Sequence, residues 1–268
     1  MTSTGFGGLL KTMRTSRRVS QMQLSLDAEV STRHLSFLET GRSSPSREMV
    51  LVLGSALELS LRDRNLLLEA AGFTAAYRQT ALDAPEMAEL RHALELILKA
   101  HEPFPAVVLD RHWNVAMPNR GFARLGAMLG VEPSLTAYTL LDEKQRPNLM
   151  RATVFDMRPL IRNWNEVMSD LLPRIEREAA SDDTMRGFVE ELKSLPEIKA
   201  LERPLLPRSR LVVPVEFAIG DETARLFSTI TTLGTAQDVT TQELRIEAFH
   251  AADDASRKLL TPLLASDA

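Results

Sequence analysis

Between Ser20 and Arg47 the chain reads SQMQLSLDAEVSTRHLSFLETGRSSPSR, and few folds satisfy that stretch. Ser20 caps a helix over about Gln21–Ala28, and Ser31 caps a second over about Thr32–Thr40, because a serine hydroxyl accepts from the orphaned N–H groups of a first helical turn. The residues left between them suffice only for a tight turn. Gly41 ends the second helix, since glycine enters the left-handed region without a Cβ penalty. Ser44-Pro45 starts the next one, a cap followed by proline at the first helical position. Leu24 and Ala28 lie four apart on one face, where Val30, Leu35 and Leu38 meet them. Ser25 is small enough to let the two helices close. Thr32, Arg33, Ser36 and Phe37 are left facing outward.

The flanks extend the pattern. Phe6–Arg17 is helical, with Leu9, Leu10 and Met13 as its apolar positions. A fourth helix carries Met49, Val52, Leu53, Ala56 and Leu57 at helical spacing. Ser60-Leu61-Arg62-Asp63 opens a fifth in the manner of a capping box, and Gly72 stops it.

Charge follows the same division. Residues 1–47 hold Lys11, Arg14, Arg17, Arg18, Arg33, Arg42 and Arg47 against Asp27, Glu29 and Glu39, a formal +4 in a chain of net charge −4. The remainder therefore carries −8. A basic head on an acidic body suits contact with a polyanion. An outward helix beside a basic loop is the geometry that enters a DNA major groove. Arg33 is placed for bidentate contact with guanine O6 and N7, and Phe37 for a thymine methyl. Gln21, Arg42, Ser44 and Arg47 stand at helix starts or on the loop, where phosphates are met. The DNA-binding set is thus Gln21, Thr32, Arg33, Ser36, Phe37, Arg42, Ser44 and Arg47.

These residues resemble the Xre/Cro-type helix-turn-helix, and PSREMVLVLGSALELSLRDRNLLLEAAGF continues the resemblance through the fourth and fifth helices. Two positions where that family favours glycine hold Arg18 and Glu29 here.

After a connector at 76–85 and a helix over Glu86–Ala100, the pattern changes. Pro105–Pro118 reads as two short strands about a turn at Asp110–His112. Asn119–Leu129 is helical, as is Asn148–Ala180, with a break at Pro159 and a second at Pro173. Thr184–Leu195 is a helix stopped by Pro196. Arg210–Ala218, Ala224–Thr232 and Glu243–His250 read as strands. The fold class is two domains: an all-α five-helix head (1–75), then the connector (76–85), then an α+β body (86–268) with a small antiparallel sheet and helices.

The body segments HEPFPAVVLDRHWNVAMPNRGFARL, NLMRATVFDMRPLIRNWNEV and FSTITTLGTAQDVTTQELRIEAFHAAD resemble the MmyB-like ligand-binding domain. That resemblance implies a PAS-like fold with a cavity between sheet and helices, and a fatty acid or similar lipid as effector. The residues themselves supply an apolar lining: Val108, Trp113, Val115, Phe122, Met128, Phe155, Trp164, Met168, Phe217 and Phe227. Asn119, Arg151 and Arg162 are the polar candidates for a carboxylate head group.

Enzyme chemistry finds no foothold. The chain has no cysteine. Its histidines, His34, His92, His101, His112 and His250, form no pair at metal-ligand spacing, and no nucleophile elbow or phosphate-binding glycine loop is present. Asp182-Asp183 and Asp253-Asp254 read as caps or solvated charge. No metal and no catalytic residue is expected. No apolar run reaches the roughly 20 residues that span a bilayer, so the expectation is a cytoplasmic protein without membrane insertion.

The sequence thus points to a ligand-responsive regulator, a repressor, that binds double-stranded DNA as a homodimer and holds a small apolar ligand in its body. The alternative is a DNA-bound adaptor whose body takes a protein partner and no small molecule.

Overall fold

The computed structural model describes residues 5–130, 147–179, 182–201 and 212–265. Chain contacts divide it into two units: Met1–Met87 with Leu233–Glu243, and Ala88–Thr232 with Leu244–Ala268. Strand residues 210–211 and helix end 180, expected from sequence, lie outside the described residues.

The first unit contains five helices: α1 (Phe6–Ser16), α2 (Gln21–Asp27), α3 (Thr32–Glu39), α4 (Arg47–Ala56) and α5 (Leu61–Ala70). Ser20, Ser31 and Ser60 cap α2, α3 and α5 through bonds from Gln23 N, His34 N and Asp63 N. The cap of α4 is Ser46, which accepts from Met49 N at 3.1 Å, so Ser44-Pro45 precedes the helix and does not begin it. Leu10, Leu24, Leu35, Leu38, Leu53, Leu67 and Leu68 form the fully buried centre. Gly7 lets α1 cross the end of α3: a Cβ there would lie 2.3 Å from Leu38 O. The two departures from glycine are bent as glycine would be, with φ of 59° at Arg18 and 53° at Glu29.

The connector is built into this unit. Asn65 binds it through Tyr77 O, Ala76 N and Tyr77 N. Residues Leu233–Glu243, which the sequence places in the body, also belong here. Arg62 forms a two-bond fork with Glu243 at 2.6 and 2.9 Å. Gln242 Oε1 accepts from Leu61 N, a donor in the first turn of α5. Asp238 accepts from Thr80, and Val239 N donates to Arg78 O.

The second unit holds α6 (Ala88–Ala100), β1 (Ala106–Leu109), β2 (Val115–Pro118), α7 (Arg120–Met128), α8 (Trp164–Ala179), α9 (Asp183–Ser194), β3 (Val215–Ile219), β4 (Glu222–Thr232), β5 (Arg245–Ala251) and α10 (Asp254–Ala265). The strands make one antiparallel sheet in the order β2-β1-β5-β4-β3. Register puts Val107, Leu109, Leu226, Ser228, Glu247, Phe249, Val215 and Phe217 on one face. Its apolar members share a core with α7 to α10. Val108, Ile246, Phe227 and His250 occupy the other face, and α6 packs against β1. The break at Pro159 is real: π and 3-10 turns replace the α-helix between Ala152 and Leu160. The break expected at Pro173 does not occur, and α8 runs through it. Burial of Leu172 and Ile175 on either side outweighs the one backbone bond that proline removes. Among the described residues, no helix is long and apolar enough to cross a membrane.

Candidate functional site

Two regions carry the candidate residues. On α3, Thr32 and Arg33 are exposed, and Ser36 and Phe37 are half-buried. Phe37 is a stacking platform: the guanidinium carbons of Arg33 and Arg42 lie 5.4 and 6.0 Å from its ring centroid. Cation–π contact of this kind restricts both side chains while leaving their N–H groups for a partner. Thr32 shares a hydrogen bond with Ser25 (2.9 Å), which ties the start of α3 to α2. Ser44 is exposed on the loop. Gln21 and Arg47 are more committed: the first donates to Glu39 at 2.7 Å, the second to Thr74 O at 2.8 Å.

Between α1 and α3 lies a buried ion pair that composition alone counted as free charge. Arg14 of α1 donates to both oxygens of Glu39 on α3, at 2.6 and 3.0 Å, and to Val19 O at 2.7 Å. Burial by itself would raise the Glu39 carboxyl. The bonds from Arg14 and Gln21, with the Arg14 charge, outweigh that and hold it below the ordinary carboxylate range.

In the second unit a cavity of about 170 Å³ opens between the sheet and the helical segments. Trp113, Phe122 and Phe217 line it, as their sequence pattern implied. Val115 lines a smaller space of about 50 Å³ beside Phe122. The other expected lining residues lie elsewhere. Trp164 and Met168 are buried in the core without reaching the cavity. Val108 and Phe227 point from the opposite sheet face, where Phe227 stacks on His250 at 5.1 Å. Met128 and Phe155 are exposed. The three polar candidates also have other roles. Asn119 is buried and caps α7, accepting from Phe122 N and Ala106 N. Arg151 forks onto Glu191 at 2.6 and 2.9 Å, and Arg162 is exposed near Glu222 O.

The polar side chains that line it instead are Thr153, Asp170, Arg174, Ser228 and Glu247. Trp113 sits at φ +68° and is clamped there. Its Nε1 donates to Glu178 at 2.8 Å, and the guanidiniums of Arg174 and Arg245 lie 4.7 and 4.6 Å from its ring. Arg245 donates to both Glu178 oxygens and Arg174 to one. Glu247 is 7% exposed, and its Oε2 has no partner among the described residues. Burial pushes this carboxyl up, against the lowering effect of a bond from Ser228 and the charges of Arg174 and Arg245. The alternation Arg245-Ile246-Glu247-Ala248-Phe249 was the available signal, since it puts Glu247 beside Phe249 on one face.

The acidic pairs sort as caps where they are described. Asp182 accepts from Thr184 N and Met185 N, and Asp253 from Ser256 N.

Comparison with known proteins finds two families along the chain. Residues 6–67 match the family described as helix-turn-helix domain. Residues 90–263 match the MmyB-like transcription regulator ligand binding domain. No curated protein matches the chain. Among solved structures it is similar, at 9% identity and a TM-score of 0.27, to an RNA-binding light-oxygen-voltage receptor, over 97% of this chain and 61% of that one. The chain thus spans less than two thirds of that receptor, and the likeness is too weak to bear on the fold. Both matched families are those of DNA-binding regulators, and the longer match covers well over half of the sequence: the chain belongs to the MmyB-like transcription regulators, with a helix-turn-helix head and a ligand-binding body.

Proposed function

We propose that α3 reads an operator sequence in the major groove, and that a small, mainly apolar ligand in the 170 Å³ cavity changes the affinity of that reading. The carrying observation is the exposed Arg33 at the start of α3, braced on Phe37 beside Arg42. A dimer on a two-fold site, with half-sites about 34 Å apart, and repression by occupancy of the operator are the simplest arrangement for such a head.

A ligand alters DNA affinity only by preferring one arrangement of the protein. Strands β4 and β5 carry the cavity residues Ser228, Glu247 and Phe249, and the segment that joins these strands is built into the first unit. We take that segment, with α6 and the connector, as the route of coupling.

Capture of genomic fragments by the full chain, followed by sequencing, tests the reading. A single enriched sequence is expected. Arg33→Ala is expected to lose about 1–3 kcal/mol of binding to that sequence and little on random DNA. Equal losses on both would make Arg33 a phosphate contact. Absence of any enriched sequence at ordinary salt would overturn the proposal.

A further inference from the structure

The three polar residues first expected to hold a carboxylate head group lie elsewhere, which leaves the cavity in need of another anchor. Glu247 is 7% exposed, lines the cavity, and its Oε2 has no hydrogen-bond partner among the described residues. Buried polar groups almost always find a partner, and leaving one open is costly. Three charged groups act on this carboxyl: Arg174 and Glu178 from α8, and Arg245 from β5. Glu178 accepts from Trp113 Nε1, Arg174 Nε and Arg245. Asp170 lines the same cavity but is exposed, so water screens it. The neighbouring strands add no charge: Val107 of β1 and Ile230 of β4 pair with Glu247, and the Ser228 hydroxyl bonds to it.

We propose that Glu247 holds the ligand's carboxylate as a neutral acid, through an O–H···O bond from its own Oε2, so that the body binds an acid only together with a proton. This deepens the regulator reading and rests on it.

Charge distinguishes the two forms of Glu247. With Glu247 neutral, Arg174 and Arg245 against Glu178 leave one positive charge beside the cavity. A ligand carboxylate answers that charge and accepts the Glu247 hydrogen bond at once. With Glu247 ionised the four groups already cancel, and a second carboxylate would meet a like charge in a buried site. Burial favours the neutral form, against the lowering effect of Ser228, Arg174 and Arg245. A carboxylic acid kept neutral by its site is a strong donor to an oxyanion. Arg174 brings the charge: it donates to Glu178 through Nε, and its guanidinium makes no other hydrogen bond to a described residue.

The proton gives a signature of its own. A bound carboxylate raises the Glu247 carboxyl further, because a like charge disfavours ionisation. Acid affinity is therefore full while free Glu247 is protonated. Above that range each acid bound draws a proton from solution onto Glu247, and affinity falls about tenfold per pH unit.

Calorimetric titration of the full chain with octanoate, dodecanoate and 1-octanol tests this, from mildly acid to mildly alkaline pH, in two buffers of different ionisation enthalpy. The acids are expected to lose about tenfold in affinity per pH unit on the alkaline side and to take up about one proton per molecule bound. 1-Octanol is expected to show neither. Glu247→Gln keeps a neutral donor, though a weaker one. Its acid affinity is expected to lie below wild type at acid pH, to stay flat with pH, and to exceed wild type at alkaline pH. A residue that merely supported the fold would not produce that crossing. Four results overturn the proposal: acid affinity flat or rising with pH, an equal slope for 1-octanol, a slope that survives in Glu247→Gln, or no binding of either acid. If Glu247→Gln does not fold, the wild-type slope and proton count decide. Sequence-specific DNA capture by the same preparation is scored separately. Capture combined with pH-independent acid binding sinks the protonated Glu247 and leaves the regulator, whereas loss of capture sinks the regulator reading itself.

Discussion

Glu39→Ala is the most informative change in the reading head. Glu39 is the last residue of α3, and its side chain is 1% exposed; its partner Arg14 is 9% exposed. Three hydrogen bonds tie α1 and the start of α2 to the end of α3 through this one carboxylate. Truncation removes all three and leaves a guanidinium buried without its counter-charge, which costs about 3–5 kcal/mol. A small domain holds roughly 5–15 kcal/mol in total, so the head would become marginal. The double variant Arg14→Met with Glu39→Leu replaces the pair by apolar groups of similar volume and is expected to regain most of that loss. Acid should mimic the single change. The Glu39 carboxyl is lowered in the folded state, so its contribution is full above the ordinary carboxylate range and disappears as pH falls through the lower folded value. Both tryptophans, Trp113 and Trp164, belong to the other unit. The assay is therefore hydrogen exchange of peptides from residues 6–39 in the full chain, read as a loss of protection. A cost below about 1 kcal/mol for Glu39→Ala, or a double variant weaker than the single, would show that Arg14 and Glu39 do not depend on each other.

Two further outcomes follow from local geometry. Glu29 is exposed and held at φ +53°, which costs a non-glycine residue about 1–2 kcal/mol. Glu29→Gly is expected to raise the thermal midpoint of the head in circular dichroism, by about 1 kcal/mol or less once the added freedom of the unfolded glycine is counted; a lower midpoint would refute the strain. Arg62→Ala removes the fork onto Glu243 in a half-buried site, worth about 1–2 kcal/mol of attachment for the segment Leu233–Glu243. Ligand affinity should persist while the ligand-dependent change in operator affinity shrinks, and fluorescence anisotropy on labelled operator distinguishes this from an unchanged response.

Local chemistry made the head legible. Caps at Ser20, Ser31 and Ser60 act within three residues of themselves, and leucines at helical spacing find each other over short separations. The cap of α4 was misplaced because several serines flank Pro45 and nothing local ranks them; Ser46 wins by reaching Met49 N. The cavity was only half legible for a different reason. Aromatic residues announced an apolar interior, yet which of them reaches the space depends on sheet face and helix sidedness. Those are settled by register between segments over a hundred residues apart, as between Val108 and Ile246. Arg151 looked available because its partner Glu191 is 40 residues away. Glu247 is not singled out by the sequence, because charges on a strand are usually solvated, and only the pairing of β5 with β1 and β4 turns it inward.

That placement bears on how sensing could reach DNA. A rigid cavity that merely fills would bind ligand without consequence, since a ligand shifts an equilibrium only by its unequal affinity for the two states. Glu247 lines the cavity with an oxygen that has no partner among the described residues, so a ligand that supplied one would bind the arrangement presenting it more tightly. Glu247 stands four residues along one chain from Glu243, the residue that grips Arg62 at the start of α5. Between them lies Leu244, buried, where the chain passes from one unit to the other. We take this short run of backbone as the route that couples β5 to the Glu243 fork. The test of this route is non-additivity: if Glu247→Gln and Arg62→Ala each reduce the ligand effect on operator affinity and the double variant does no more than either, the two act in one chain of contacts. Independent, summing effects would place the coupling elsewhere.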